Sequence, residues 1–176
     1  QLLKNFPPSV QSQARPLFAQ LEEERRSRIE RMRKLEPLLT AGGDAGRGRR
    51  IFFGQKVACS KCHTIGREGG NVGPDLTAVG AIRSGHDLLE AIVFPAETFV
   101  PGFEVFHVET RDEVQTGLIV QRTSDMVVLV TGSGDQVRVP RNKIVSMKPS
   151  NVSLMPDGLD RSLTQSEFRD LLAFLQ

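Results

Sequence analysis

The sequence predicts a chain in which helices carry most of the structure and a small antiparallel β-sheet or half-barrel is inserted between them, so that the whole is α+β. Two observations predict this. Residues 44–100 and 151–176 carry helix start signals and apolar residues at helical spacing, whereas residues 101–150 are rich in Val, Ile, Phe and Thr and are divided by turn residues. Residues 1–43 then form an N-terminal helical extension, or the tail of a preceding region.

Composition excludes several functional classes. The chain has 176 residues and a formal net charge of only +2, which is too balanced for a dedicated nucleic-acid binder. No run approaches the roughly 18 apolar residues of a membrane span. Two cysteines cannot form a multi-disulfide scaffold. We therefore expect a globular chain with no nucleic-acid partner and no membrane span.

Helix signals are strongest at four places. Residues 10–39 read as one exposed helix with a narrow apolar stripe, which would pack by that face or dock a partner. Asp44 is a good N-cap for a helix over 45–53. Capping boxes at Ser84/Asp87 and Thr164/Glu167 predict helices up to about Phe94 and over 165–175.

Four strands are predicted between these two helices, over residues 103–110, 114–122, 126–131 and 136–147.

One motif carries chemistry, the run Cys59-Ser60-Lys61-Cys62-His63. Two thiols three residues apart on one helical turn can each add to one vinyl group of a haem. The next residue then lies under the ring, where its imidazole can ligate the iron. The motif therefore predicts one covalently attached haem c, with His63 as an iron ligand.

Three other interpretations of the cysteines stay open. A structural zinc site needs four ligands, and the chain offers two cysteines and three histidines. A thioredoxin-like redox pair needs a βαβ setting, whereas a short helix and a glycine-rich loop are predicted around Cys59 and Cys62. The third interpretation is a pair of unreactive buried cysteines beside a surface histidine.

A second iron ligand would come from another histidine or from a methionine. The candidates are Met32, Met126, Met147, Met155, His86 and His107. Met155 differs from the others because it lies in a predicted loop, where Pro156 disfavours helix and keeps the chain extended. The others fall in, or at the ends of, predicted helices and strands, where core packing or solvent exposure is ordinary.

Three segments resemble class I c-type cytochromes. Residues 44–52 resemble their first helix, Gly73-Pro74-Asp75-Leu76 resembles the loop beside the proximal ligand, and Met155-Pro156 with the following helix resembles the distal loop and last helix. The resemblance implies a mainly α cytochrome c fold, with a cytochrome c core over 44–100 and 151–176 and a β insertion over 101–150.

The same resemblance assigns roles to residues. It implies that the Pro74 carbonyl accepts a hydrogen bond from the His63 imidazole and so orients it. It implies that Met155 is the second iron ligand and that Leu76 lies with the apolar residues that exclude water from the haem. The other expected members of that apolar set are Phe52, Leu88, Leu89, Ile92, Phe168 and Leu172.

The order of motifs is closest to the haem-binding domain of secreted planctomycete and verrucomicrobial proteins. In that family the domain usually ends a longer protein, after a helical-repeat region and a propeller-like dehydrogenase domain. The resemblance implies that the partner is a redox protein or a fused dehydrogenase domain, and that Gln1 begins a cut fragment. Because haem c is attached outside the cytoplasm, we expect a periplasmic or otherwise exported location.

Charged residues complete the expected site. Arg83 follows the glycine-rich loop and is the candidate partner of a haem propionate, since guanidinium matches carboxylate; a free surface arginine is the alternative. Five cations and Asp44 alone lie between residues 44 and 63. These positive charges would steer an acidic redox partner towards the haem. The alternative is that they only form a solvated surface with no role in binding.

These features predict a single-haem electron-transfer domain that is not itself an enzyme. Two other functions stay open. Without ligation by Met155, a five-coordinate iron would suit a gas sensor or a peroxidase. If the β insertion and the N-terminal helix dock partners, the chain would be an interaction module in which the haem is structural.

Overall fold

The computed structural model of the protein describes residues 4–97 and 100–176, so parts of the segments 1–43 and 44–100 lie outside the described residues. The chain divides into two compact units, one ending at Pro37 and the other running from Leu38 to Gln176. In the part of the chain that is described, we find no helix with the length and apolar character that a membrane crossing requires.

The first unit is a long helix, α1 (Pro8–Leu35), and a 3-10 turn over Glu36–Leu39 follows it. Proline at its first position suits the helix start, where a backbone N–H has no intrahelical partner. The apolar stripe expected on this helix is exposed in its first part, where Leu17 retains 63% of its accessible surface, whereas Met32 near the C-terminal end is buried at 8%. Docking of a partner by this stripe stays a prediction.

The second unit contains the remaining helices, α2 (Ala45–Phe53), α3 (Val79–Ile82), α4 (Gly85–Val93) and α5 (Gln165–Leu175). The expected caps are confirmed. The side chains of Asp44, Ser84 and Thr164 each accept a hydrogen bond from the backbone N–H three residues later. At the last two positions the third residue also returns a carboxylate to the cap N–H, which completes the capping box.

Helices α2 and α5 pack closely where α2 has glycine. A Cβ on Gly48 would collide with the carbonyl oxygen of Asp170 and would lie 2.7 Å from Cβ of Phe174. The rings of Phe52 and Phe174 then meet with their centroids 5.7 Å apart. This contact joins helices that are more than a hundred residues apart in the sequence.

Part of the glycine-rich loop expected beside the cysteines forms a short hairpin of β1 (Thr64–Ile65) and β2 (Glu68–Gly69). The larger sheet is antiparallel and consists of β3 (Val105–Thr110), β4 (Val114–Arg122), β5 (Met126–Val130), β6 (Gln136–Pro140) and β7 (Ile144–Pro149). Its strand order is β6-β5-β4-β3-β7.

Two expectations about this region are wrong. The single strand expected over 136–147 is interrupted by a 3-10 turn at Arg141–Lys143, so five strands form and the last one pairs with β3. The mainly α cytochrome c fold is also contradicted. The described residues are 44% helical and 20% strand, an α+β structure that does not plainly show a small cytochrome c fold. The physical reason is that the β-branched residues build a full sheet layer with its own core.

Candidate functional site

A cavity of about 320 Å³ in the second unit brings the expected site residues together. All seven of them line it: Cys59, Cys62, His63, Pro74, Leu76, Arg83 and Met155. Helices α2, α3, α4 and α5, the chain around residues 152–163 and two strands of the large sheet supply the rest of the wall. Its volume lies within the range of about 300–1,000 Å³ that is typical of small-molecule and cofactor pockets.

The cysteine segment is a tight turn at the cavity wall. Ala58 enters it with φ of 48°, a left-handed conformation that is rare for residues other than glycine. Residues Cys59–Lys61 then form a 3-10 turn, and the N–H of His63 reaches the carbonyl of Cys59 at 3.0 Å. This single turn directs both thiols and the imidazole to the same cavity.

The imidazole of His63 is fixed by one hydrogen bond. Its Nδ1 lies 2.9 Å from the carbonyl oxygen of Pro74. A carbonyl can only accept, so Nδ1 carries the proton and donates, and Nε2 keeps the lone pair that a metal needs. Burial lowers the pKa of His63 below its ordinary value more than this hydrogen bond raises it, which keeps the ring neutral.

Backbone hydrogen bonds hold the Pro74 loop against the cysteine turn. The N–H of Gly73 donates to the carbonyl of Cys62 and that of Leu76 donates to the carbonyl of Thr64, each at 2.8 Å. Because these two bonds flank Pro74 in the sequence, the folded loop fixes where the Pro74 carbonyl lies relative to the imidazole.

The sequence indicates Gly73 only as a member of the loop that contains Pro74, without a role of its own. A Cβ there would lie 2.6 Å from Cε1 and 2.8 Å from Nδ1 of His63, closer than real side chains approach each other. The missing side chain therefore makes room for the imidazole. Its place directly before Pro74 was the available signal.

Met155 lies in the irregular chain between β7 and α5 and is half-buried at the cavity. Its backbone N–H donates to Oγ of Ser153 at 3.1 Å, which closes a local turn. The other expected ligand candidates of this unit, His86, His107, Met126 and Met147, do not line the cavity. His107 instead bonds Thr116 across two strands at 2.7 Å, and Met147 packs against the core of the sheet.

The two cysteines are free thiols rather than a disulfide. Burial raises the pKa of Cys59 to about 11, with a smaller contribution from Cys62 beside it. A redox-active pair of the thioredoxin kind depends on a lowered thiol pKa, so this setting does not favour that chemistry. Across residues 4–97 and 100–176 we find no group of three or more His, Cys, Asp or Glu side chains arranged to hold a metal ion, whereas structural zinc takes four ligands.

The expected basic face is largely paired with carboxylates. Arg47 binds the buried Asp170 at 2.6 Å, and Lys56 binds Glu167 at 2.6 Å. Arg49 pairs with Glu68. These carboxylates come from elsewhere in the chain, so they reduce the net charge that residues 44–63 alone would give. Steering of an acidic partner by this face stays a prediction.

Arg83 is exposed at the rim of the cavity, directly before α4. It contributes to lowering the pKa of Asp87, although the main cause of that shift is the hydrogen bond from Ser84. The guanidinium is thus placed where it could meet an anionic group at the cavity mouth.

The apolar wall differs in part from the expected set. Phe52, Leu76, Leu88 and Ile92 line the cavity, whereas Leu89, Phe168 and Leu172 are buried outside it. From helix α5, Leu171 and Leu175 line the cavity instead. The apolar face of this helix is wide, so one part of it lines the cavity while another part packs elsewhere in the core. Val105 and Leu118 of the large sheet also line the cavity, and no local sequence signal indicated them.

No protein-family model matches this chain, and a search of curated proteins finds no match either. The resemblance to class I c-type cytochromes therefore rests on the motifs themselves.

Proposed function

We propose that this chain carries one covalently attached haem c and acts as a one-electron transfer domain. The observation that carries the proposal is the state of His63. Its Nδ1–H is engaged by Pro74 at 2.9 Å, and the ring faces an apolar cavity that is also lined by Cys59, Cys62 and Met155. A proximal histidine whose second nitrogen is held by a carbonyl is a common arrangement at metal sites.

The residues present fit the group. Each thiol of Cys59 and Cys62 would add its S–H across one vinyl double bond, which forms a C–S bond and leaves the hydrogen on the other vinyl carbon, so no oxidant is needed. The neutral His63 would ligate the iron through Nε2, and Met155 would supply a thioether ligand. Arg83 would pair with a propionate.

When bound, the haem would supply a one-electron iron couple. The chain's own contribution would be to hold His63 and Met155 in place in both oxidation states of the iron and to keep water out of the cavity. Buried residues such as Phe52 and Leu88, at 1% and 6% exposure, provide that exclusion. Met155 at the cavity favours a closed coordination sphere over the open iron of a sensor or a peroxidase.

Under this proposal, the chain matures outside the cytoplasm, in the periplasm or another exported compartment. It exchanges electrons with a redox partner protein or with a fused dehydrogenase domain, and it has no catalytic residue of its own.

Covalent loading tests the proposal directly. The chain is produced with and without haem-maturation machinery, and its mass is measured after denaturation. We expect a mass increase of one haem in the loaded protein, and its loss in the double variant Cys59→Ser, Cys62→Ser. The variant Met147→Leu, which alters a methionine outside the cavity, should load like the wild type. No mass increase in the wild type would contradict the proposal and favour the zinc or thiol interpretations.

A further inference from the structure

We infer that the large β-sheet is part of the haem site itself: Val105 and Leu118 close the cavity against water, and β3 anchors the chain segment that carries Met155. This inference rests on the proposed function. It assigns a role to a region that carries no chemical motif in the sequence.

An apolar row crosses three strands on one face of the sheet. Val105 on β3 is paired with Leu118 on β4, and Leu118 is paired with Val130 on β5. Directly paired residues project to the same face of a sheet. All three are buried, with 5–6% exposure, and Val105 and Leu118 line the same cavity as His63 and Met155.

The opposite face of the sheet already has a core of its own. Val108, Val127, Leu129 and Val139 are buried there, with partly buried neighbours packed around them. An antiparallel sheet commonly leaves its second face to water. The row of Val105, Leu118 and Val130 lies on that second face, and it is buried because this face of the sheet forms a wall of the cavity.

The Met155 segment is attached to the same strand. The N–H of Ser150 donates to the carbonyl of Val105 at 2.8 Å, which continues the β3–β7 pairing by one residue. Ser150 is buried, and its Oγ accepts the N–H of Val152 at 3.1 Å. Ser153 then accepts the N–H of Met155. One hydrogen bond therefore attaches Ser150 to the cavity wall, and two local turns shape the chain from there to Met155.

The consequence is electrostatic. A ferric haem carries one more positive charge than a ferrous haem, and water stabilises that charge. Exclusion of water by the cavity wall therefore raises the reduction potential, and entry of water through a gap in that wall lowers it. Opening the wall also admits competing ligands to the iron.

The test compares two leucine truncations in the haem-loaded chain. Leu118→Ala removes part of the cavity wall, whereas Leu129→Ala removes a leucine that is also buried, at 0% against 5% exposure, from the other face of the sheet. The readouts are the midpoint potential and the affinity of the ferric protein for added imidazole. We expect Leu118→Ala to lower the potential and to strengthen imidazole binding by about tenfold, the scale on which outer-shell changes act. Leu129→Ala should leave both close to wild type.

Equal shifts in the two variants, or no shift in either, would overturn the inference. If Leu118→Ala does not fold, the smaller truncation Val105→Ala decides by the same comparison. A wild-type chain that takes up no haem would instead refute the proposed function, and this inference with it.

Discussion

The Nδ1–H of His63 donates to the carbonyl oxygen of Pro74 at 2.9 Å, across eleven residues of sequence. That bond fixes both the tautomer and the orientation of the ring. It leaves Nε2 as the unprotonated nitrogen, whose lone pair can bind a metal. The loop that delivers the carbonyl is tied to the cysteine turn by backbone bonds, so the ligand and its orienting group form one local unit.

The first prediction concerns Gly73. Its substitution by alanine places a Cβ against the imidazole of His63, and the ring must move away from Pro74. We expect Gly73→Ala to destabilise the fold by about 1–3 kcal/mol, the usual cost of overpacking, and to lower the yield of haem-loaded protein. Chemical denaturation and the loading assay measure the two effects.

Gly132→Ala is the control for that variant, because a Cβ there meets nothing closer than Leu154 at 3.9 Å. A Gly73→Ala protein that matches Gly132→Ala in stability and loading would contradict the assigned role of Gly73.

The second prediction concerns the contact between α2 and α5. A methyl group at Gly48 would collide with the backbone of Asp170, which cannot move without displacing α5. We expect Gly48→Ala to reduce the free energy of unfolding by about 1–3 kcal/mol. Gly46→Ala on the same helix meets only the carboxylate of Asp44, at 3.2 Å, and should cost far less. Thermal unfolding followed by circular dichroism ranks the two variants; the reverse order would refute this description of the helix contact.

The third prediction concerns Asp170, which is 2% exposed. Its carboxylate accepts from the Arg47 side chain at 2.6 Å and from the backbone N–H of Asp44 at 2.8 Å. Asp170→Asn keeps the shape but removes the charge, and we expect a loss of about 1–3 kcal/mol. Asp157→Asn, at an exposed carboxylate, should be nearly neutral.

The same group predicts a pH dependence. The hydrogen bond from Arg47 and the one from the backbone of Asp44 lower the pKa of Asp170 to about 2, from an ordinary 3.8. Because the unfolded chain binds the proton more readily, the contribution of Asp170 is complete above pH 3.8 and is lost as the pH falls to about 2. Unfolding measured across that range should show a smaller pH slope in Asp170→Asn. An unchanged slope would show that the pairing with Arg47 does not stabilise the fold.

Local chemistry explains what the sequence could predict. The capping boxes at Ser84 and Thr164 need only a residue three positions away, and both form as expected. The cysteine turn is equally local, so its three side chains could be expected on one wall. The end of α2 at Phe53 follows from the glycine after it.

Long-range packing explains what the sequence could not predict. The carboxylate partner of Arg47 lies 123 residues away, so a count of nearby charges overstated the basic face. Leu118 reaches the cavity only because β4 pairs with β3. The alternation of apolar residues along β4 does not indicate which face of the sheet lines the cavity. The mainly α cytochrome c fold was wrong for the same reason, since five short strands build a sheet layer that no single segment specifies.

The most direct test is a visible absorption spectrum of the loaded chain, oxidised and then reduced with dithionite, for the wild type and for Met155→Ala. We predict sharp low-spin bands on reduction, no response to carbon monoxide, and a weak long-wavelength ferric band that disappears in Met155→Ala. A high-spin spectrum in the wild type, or a band unaffected by Met155→Ala, would contradict the His63 and Met155 ligation on which the account rests.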